Sequence, residues 1–596
     1  MTKSISIRTM GLASIVLPLL LIGCTQPGTP SRPAVAPSTP ALPDLTKSDK
    51  IQVGGQPLFA TWPKDKPDLV LVLSGQSYGY LSPCGCSRPQ LGGLERRYNL
   101  VQSLKAKGWD VAGVDLGDMS PAPGKGLSQQ GLMKYAYFMK SLKEMGYVAV
   151  GLGKHEFQAD VKETLGQFAV NNEGGGPIVL SANLVEVERD PNDKTKILKS
   201  TPREKAFEAP KSRPLVEDVE VVSTPKINLG LIGLVGPSLA AEIVEVASTY
   251  DFEKPGTALP AALKKIGEAK IKPDLNVLLY YGTRIEAMQA AKDHPEIQVI
   301  LCASDPTDSE APMFPVAFPA DNPTTQIIQV GHKGRHVGLL GIFKTEKGLD
   351  LRYQVVPLGE EFLTPEKPVD LAKDNKVLQL LEAYTAEVKD GKLLEAWDKK
   401  LKANHVAMVQ QPDAKLSYIG VDACAKCHAN EVKKWKDTKH SHAYEALEKY
   451  ATKPGLRQFD PDCVVCHTTG FEYKTGFSTK ETTKHLLNNG CENCHGPGSG
   501  HAAKPNDKDL LKLLAPWKLS KDDKLPPLDY LEKMAKIPEA ERGKVQVDNK
   551  IQRVVRAVDS NLCRKCHDLD NDPKFDIWTY LPKIYHSGLK DEGLPK

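Results

Sequence analysis

The chain lacks an excess of either charge. Lys and Arg number 78 against 74 Asp and Glu, and the net charge is +4. That balance gives no basis for a nucleic-acid partner or an acidic substrate. Histidine is scarce before residue 400, where only four of the chain's 14 occur. Methionine is scarce after it, with only Met408 and Met534. Residues 414–596 also have few long apolar runs. A segment of that composition cannot supply a sufficient hydrophobic interior by itself.

What the last third does have is Cys-x-x-Cys-His, four times: Cys424–Cys427–His428, Cys463–Cys466–His467, Cys491–Cys494–His495 and Cys563–Cys566–His567. This is the pattern for covalent attachment of c-type haem. Two thiols form thioethers with the porphyrin edge and the adjacent His reaches the iron. Structural zinc would need a second Cys or His pair for each site and leaves the regular His unexplained. Four covalently bound haems are therefore expected, acting as interior and as staples. Six further histidines fall after residue 400: His405, His440, His442, His485, His501 and His586. With methionine scarce, the second axial ligands should be mostly His, which favours low reduction potentials. His440 and His442 lie in a stretch read as helical, 432–447. At that spacing they point in different directions, so at most one serves a given iron.

Residues 1–24 read as a targeting segment. Lys3 and Arg8 precede an apolar run, 10–22, too short to span a bilayer comfortably. It ends in Leu21-Ile22-Gly23-Cys24, which resembles a bacterial lipobox. The resemblance implies export and a lipid anchor on Cys24; the alternative is a plain signal peptide. Thr25 follows with no acidic retention residue, which favours the outer of two membranes over the periplasmic face of the inner. Residues 25–50, rich in Pro, Ser, Thr and Ala, read as an extended tether.

Residues 51–364 read as an α/β domain. Strands are expected at 68–74, 110–116, 147–152, 178–182, 227–235, 276–281, 299–302, 326–330, 337–343 and 349–356, with helices at 94–106 and 131–145. The charged stretch 185–211 reads as a solvated insertion. Residues 365–413 read as a helical connector, or equally as the end of the first domain, since Leu378, Leu381, Tyr384, Val388 and Trp397 recur at helical spacing.

Landmarks in the α/β region resemble the metallophosphoesterase domain of the 5'-nucleotidase family. They are Gly79, Gly92-Gly93, Leu116-Gly117-Asp118, Gly153-Lys154-His155-Glu156-Phe157, Ser181-Ala182-Asn183-Leu184 and Ile232-Gly233-Leu234. The family fold implies a sheet sandwich covered by helices and a two-metal site at the strand ends. This chain departs at nearly every ligand. Gln76-Ser77-Tyr78 stands for Asp-x-His, Lys154 for the Asn ligand, Tyr280 for a later His and Ser304-Asp305-Pro306 for the final His-x-His. Asp118 and His155 alone remain, so the dinuclear site should be dead. On that fold Cys84, Cys86 and Cys302 would come to one sheet edge. They would form a disulfide between Cys302 and Cys84 or Cys86, or else a soft-metal or redox-active thiol site.

The tail resembles the tetrahaem cytochrome c-554 family. The matching runs are Trp435-Lys436-Asp437-Thr438-Lys439-His440, Asp462 to His467 with Thr469-Gly470-Phe471, and Gly490 to Gly498 with His501. The resemblance implies distal ligands His440, His501 and His586, a mainly α multihaem fold, and electron relay between a periplasmic donor and an acceptor protein. It leaves the haem on His467 five-coordinate, or borrowing His405, His442 or His485. Two enzymatic alternatives stay open: redox chemistry on a small nitrogen compound at that haem, and hydrolysis at a remodelled site around Asp118, His155 and the three thiols Cys84, Cys86 and Cys302.

Overall fold

Strand Leu69–Ser74 is buried at every position, so both of its faces must be covered. The computed structural model describes residues 52–586, apart from 54–55, 86–88, 123–127, 170–174, 209–212, 306–315, 319–324, 365–374, 451–453, 521–522, 524 and 546. The targeting segment, the tether, Cys24 and Cys86 lie outside the described residues.

The cover comes from a second sheet on one side and helices on the other. The first six-stranded sheet runs Gly348–Pro357, His336–Thr345, Leu69–Ser74, Val111–Asp115, Tyr147–Val150, Ile178–Val179. The second runs Val316–Phe318, Thr325–Ile328, Val299–Cys302, Leu275–Tyr281, Asn228–Val235, Val219–Ser223. Strands at the centre of each are parallel. Leu71, Val114 and Leu339 of the first sheet share one core with Leu229, Leu231, Leu279 and Leu301 of the second. Side chains alternate along a strand. Ile232, Leu278, Tyr280, Ile300 and Cys302 therefore face away and pack with helices Pro255–Glu268 and Arg284–Asp293. Helices Leu94–Ala106 and Ser128–Met145 close the outer side of the first sheet through Leu100, Leu104, Phe138 and Leu142. This is the α/β sandwich covered by helices that the sequence led us to expect.

Two expectations change. The stretch 185–211 is no irregular insertion: it holds a hairpin, Leu184–Asp190 with Asp193–Pro202, extended by Tyr250–Phe252. Its outer strand is exposed on both faces nearly throughout, so the stretch is solvated as expected while still forming a hairpin. The stretch 365–413 is tied to both sides. Helix Lys376–Asp390, capped by Asn375 on Leu378 N–H, buries Leu378, Leu381, Tyr384 and Val388 in the sheet core. Leu394, in helix Leu393–Lys400, joins a core of the tail instead.

The tail is a set of short helices around two small clusters. One centres on Tyr418, Tyr444, Val464, Phe471 and Phe477, the other on Leu531, Val555, Val558, Phe575 and Leu581. Among the described residues no helix is long and apolar enough to cross a membrane.

The two sheets approach closely where Gly233 carries no side chain. Ala182 N–H donates to the Gly233 carbonyl at 2.7 Å. A Cβ on Gly233 would stand 2.1 Å from the Leu180 carbonyl oxygen. Both partners are backbone, so no rotamer relieves the overlap. Gly233→Ala is expected to cost more than about 2 kcal/mol, read as a lower urea midpoint at unchanged slope. A wild-type midpoint would mean the sheets have room there.

Candidate functional site

The loops after the parallel strands gather the residues of the would-be metal site. Asp118, in the turn after Val111–Asp115, accepts from His155 Nδ1 at 2.6 Å and from His155 N–H at 2.8 Å. Its other oxygen accepts from the Tyr281 hydroxyl at 2.7 Å. Burial works to lower the His155 pKa, but the hydrogen bond and charge of Asp118 outweigh it, and the net direction is up. Tyr78 meets the His155 ring edge-on at 4.8 Å.

Sequence reasoning put Tyr280 in place of the lost histidine. Tyr280 faces the outer cluster, and it is Tyr281 that reaches Asp118, because alternate strand residues point to opposite faces. Lys154 does not sit where a cation would: its ammonium turns to Glu242 at 2.7 Å. Gln76 closes the gap left by the lost ligands. Its carbonyl accepts from Ser304 N–H at 2.6 Å, and its amide donates to the Ser304 carbonyl at 3.0 Å and to Tyr78 Oη at 2.9 Å. Neutral hydrogen bonds thus span two loops that metals would otherwise bridge. Glu156 was missed. It is fully buried and accepts from the N–H groups of Asp118, Met119, Ser120 and Gly153. Burial, then the charge of Asp118, pushes its carboxyl up. The Glu following His155 was the available signal. Among the described residues no group of three or more His, Cys, Asp or Glu could hold a metal ion.

The expected meeting of Cys302 with Cys84 does not occur. Cys302 is a free, buried thiol in the outer cluster, pushed up to about 12 by burial. Strand alternation turns it toward the helices and away from the strand-end loops. Cys84 Sγ instead lies 3.1 Å from Gln90 Nε2 and 3.8 Å from the Asn571 carbonyl, in the tail.

In the tail, local helix geometry prepares the attachment motifs. Helices Pro461–His467 and Cys491–His495 place two cysteines three apart and the next His on one face. Asp460 caps the first of these through Asp462 N–H, and Gln130 of the sheet body donates to Asp460 at 2.9 Å. Residues 432–447 are not one helix: Ala429–Lys436 and Ala443–Lys449 are separated by the tight turn Lys439–His442.

That turn aims His440 at His567, with ring centres 6.1 Å apart. His501 stands 6.0 Å from His428, and His586 stands 5.9 Å from His495. Two imidazoles bound to one iron have ring centres about 6 Å apart, since each metal–nitrogen bond is about 2 Å and each nitrogen lies about 1 Å from its ring centre. The pairs fit bis-histidine ligation of haem. His501 Nδ1 is buried with no hydrogen-bond partner, as suits a nitrogen facing a metal. The proximal His467 and His495 donate through Nδ1 to the Ala443 and Leu514 carbonyls, which fixes their orientation. The other candidates are engaged elsewhere. His405 packs edge-on to Tyr473 at 4.9 Å, His442 is exposed beside Glu445, and His485 is exposed.

The motifs also touch one another. The Cys424 thiol lies beside that of Cys491, and Cys466 lies beside Cys566. Cys494 lies close enough to Cys563 and Cys566 to feel their charge. The attachment sites therefore run first, third, fourth, second. Glu492 ties the first site to the third: its buried carboxylate accepts from Ile419, Gly420 and Gly498 N–H.

Comparison with known proteins gives matches of two kinds. Residues 423–496 match the family model described as cytochrome c554 and c-prime. Cytochrome c-554 of Nitrosomonas europaea is 35% identical over 91 residues, 14% of this chain and 39% of that protein. The chain thus spans about two fifths of the curated relative it matches. The match to this cytochrome family implies covalently bound haem c. Among solved structures, a 5'-nucleotidase precursor from Thermus thermophilus is similar at 20% identity and TM-score 0.40, covering 60% of this chain and 62% of that one. The NAD nucleotidase NadN of Haemophilus influenzae is similar at 17% and 0.36, covering 54% and 60%.

The loss of metal ligands around Asp118 has a direct test. Purified protein with added manganese is expected to show no phosphoesterase activity above buffer. Activity that disappears in Asp118→Ala would restore a hydrolytic site.

Proposed function

We propose that this chain is an exported tetrahaem c-type cytochrome that relays electrons between partner proteins. The observation that carries the reading is the set of three opposed imidazole pairs, each joining a Cys-x-x-Cys-His histidine to one from another segment. When bound, each haem supplies a one-electron iron couple and apolar mass. The chain's own residues do the rest. Cys424 and Cys427, Cys463 and Cys466, Cys491 and Cys494, and Cys563 and Cys566 tether the porphyrin edges. Two imidazoles on one metal leave no open position, which suits electron transfer over substrate binding at those three sites. Pairs built from His alone, with Met408 and Met534 outside them, favour low potentials. The contiguous row of attachment cysteines supports passage along the tail rather than four isolated centres.

The sheet body serves as a docking and positioning module. Its loops reach the tail through Lys333 with Asp570 and through the Cys84 carbonyl with Arg457. Lipid on Cys24 and the tether 25–50 hold the protein at the outer membrane or the periplasmic face of a membrane. Donor and acceptor are electron-transfer proteins of that compartment.

Protein made in a host that matures c-type cytochromes should carry four haems, read as mass gained at eight cysteines. In His501→Ala, one low-spin iron should become high-spin by electron paramagnetic resonance while the rest are unchanged. Fewer than four haems, or an unaltered spectrum in that variant, rules against the assignment.

A further inference from the structure

We infer that Asp572 is a positioning residue that gives the haem site of His567 and His440 the lowest reduction potential of the four. The inference rests on the tetrahaem reading above and goes beyond it by ranking the sites.

His567 Nδ1 donates to Asp572 Oδ2 at 2.7 Å. At the second and third sites the ring nitrogens turned away from the metal meet neutral carbonyls, His467 that of Ala443, His495 that of Leu514 and His586 that of Ile584, and among the described residues no carboxylate is hydrogen-bonded to His428 of the first site. A carboxylate draws the Nδ1 proton harder than a carbonyl does and leaves more electron density on Nε2. A more basic imidazole favours ferric over ferrous iron. Charge acts in the same direction. The Asp572 side chain is 7% exposed, and among the described residues its one ion-pair partner is His567. Arg564 lies nearby, over Phe575 and bonded to the His567 carbonyl, but it makes no ion pair with Asp572 among the described residues, and a buried negative charge not paired with a Lys or Arg is costly. A ferric centre carries one more positive charge than a ferrous one and offsets more of that cost.

The geometry is held from several sides. Phe575 stacks on the His567 ring at 4.7 Å. Phe575 N–H donates to the Asp572 carbonyl, and Asp572 N–H to that of Asp568. The Tyr580 hydroxyl lies 3.4 Å from the free carboxylate oxygen. The two residues before Asp572 are gripped by the sheet body: Lys333 pairs with Asp570, and Gln90 Nε2 donates to the Asn571 carbonyl at 2.6 Å. The sheet body thus reaches, through backbone neighbours, the group that tunes one haem site.

The test is a spectroelectrochemical titration of the full-length holoprotein. Asp572→Asn keeps an acceptor oxygen and removes the charge. With four haems still attached by mass, the lowest of the four couples should gain at least tenfold in electron affinity, about 59 mV for one electron, and the other three should stay in place. Asp572→Glu should bring that couple back toward wild type. A lowest couple that does not move in Asp572→Asn overturns the inference. If Asp572→Asn fails to attach the fourth haem, the chain with Cys563→Ser and Cys566→Ser decides. Loss of the lowest couple supports the assignment, and its persistence overturns it. Fewer than four haems in the wild-type chain would instead be a failure of the tetrahaem reading, visible by mass before any titration.

Discussion

The tail cannot bury enough of itself, and most of its architecture follows from that. Its two clusters, around Phe471 and Phe477 and around Val555 and Leu581, are small beside the continuous core of the sheets. A polypeptide this rich in short helices loses conformational entropy that such cores do not offset. Covalent porphyrins would address both halves of the deficit. They would add apolar mass and, held between paired imidazoles, would cross-link segments far apart in sequence, since His440, His501 and His586 each stand opposite a motif other than the one preceding them in the chain. Glu492 and Asp460 do with hydrogen bonds what the cores cannot: each buried carboxylate collects partners from distant segments.

The strand-end site of the sheet body shows a different economy. Metal ligands at strand ends are a concentration of negative charge and lone pairs that only cations make tolerable. With Gln76, Tyr78, Tyr281 and Ser304 in their places, the loops are joined by neutral hydrogen bonds. The charge that remains, on Asp118, is taken up by His155 and the Tyr281 hydroxyl. The loops are therefore held by hydrogen bonds among their own side chains and backbone.

Much of this was legible in the residues. Helix Leu94–Ala106 and strand Val299–Cys302 have the expected bounds, because both are compact buried segments followed closely by turn-forming residues, Gly108 and Ser304. The cysteine motifs were legible for a chemical reason: attachment demands fixed spacing. The misreadings share one cause, which is that side-chain direction depends on pairing. Tyr280 and Tyr281 are equivalent as letters, and only the register of Leu275–Tyr281 against its neighbours decides which meets Asp118. Cys302 was assigned to the strand-end loops for the same reason and faces the helices instead. The hairpin 184–202 was hidden because one of its strands is nearly all solvent-exposed, which removes the alternation that marks a strand. Asp572 was invisible because an isolated carboxylate has no spacing to read, whereas Glu156 stood in a recognised landmark and its role as an acceptor was overlooked.

Why a phosphoesterase-like fold should be joined to a cytochrome then has a mechanical answer. Loops carrying ligands need rigid support to hold a set orientation. The tail has little rigid structure of its own, whereas the sheet body has two buried sheets. Its strand-end loops end against the tail: Arg457 bonds the carbonyls of Pro83 and Cys84, Gln90 bonds that of Asn571, and Lys333 pairs with Asp570. These contacts bracket the second and fourth attachment motifs, the pair in which Cys466 lies beside Cys566. The strand-end edge of the sheet body is thus the edge that holds the tail in place. A buried carboxylate such as Asp572 can act on one ligand only if its loop stays put. The grip on Asp570 and Asn571 provides that constraint.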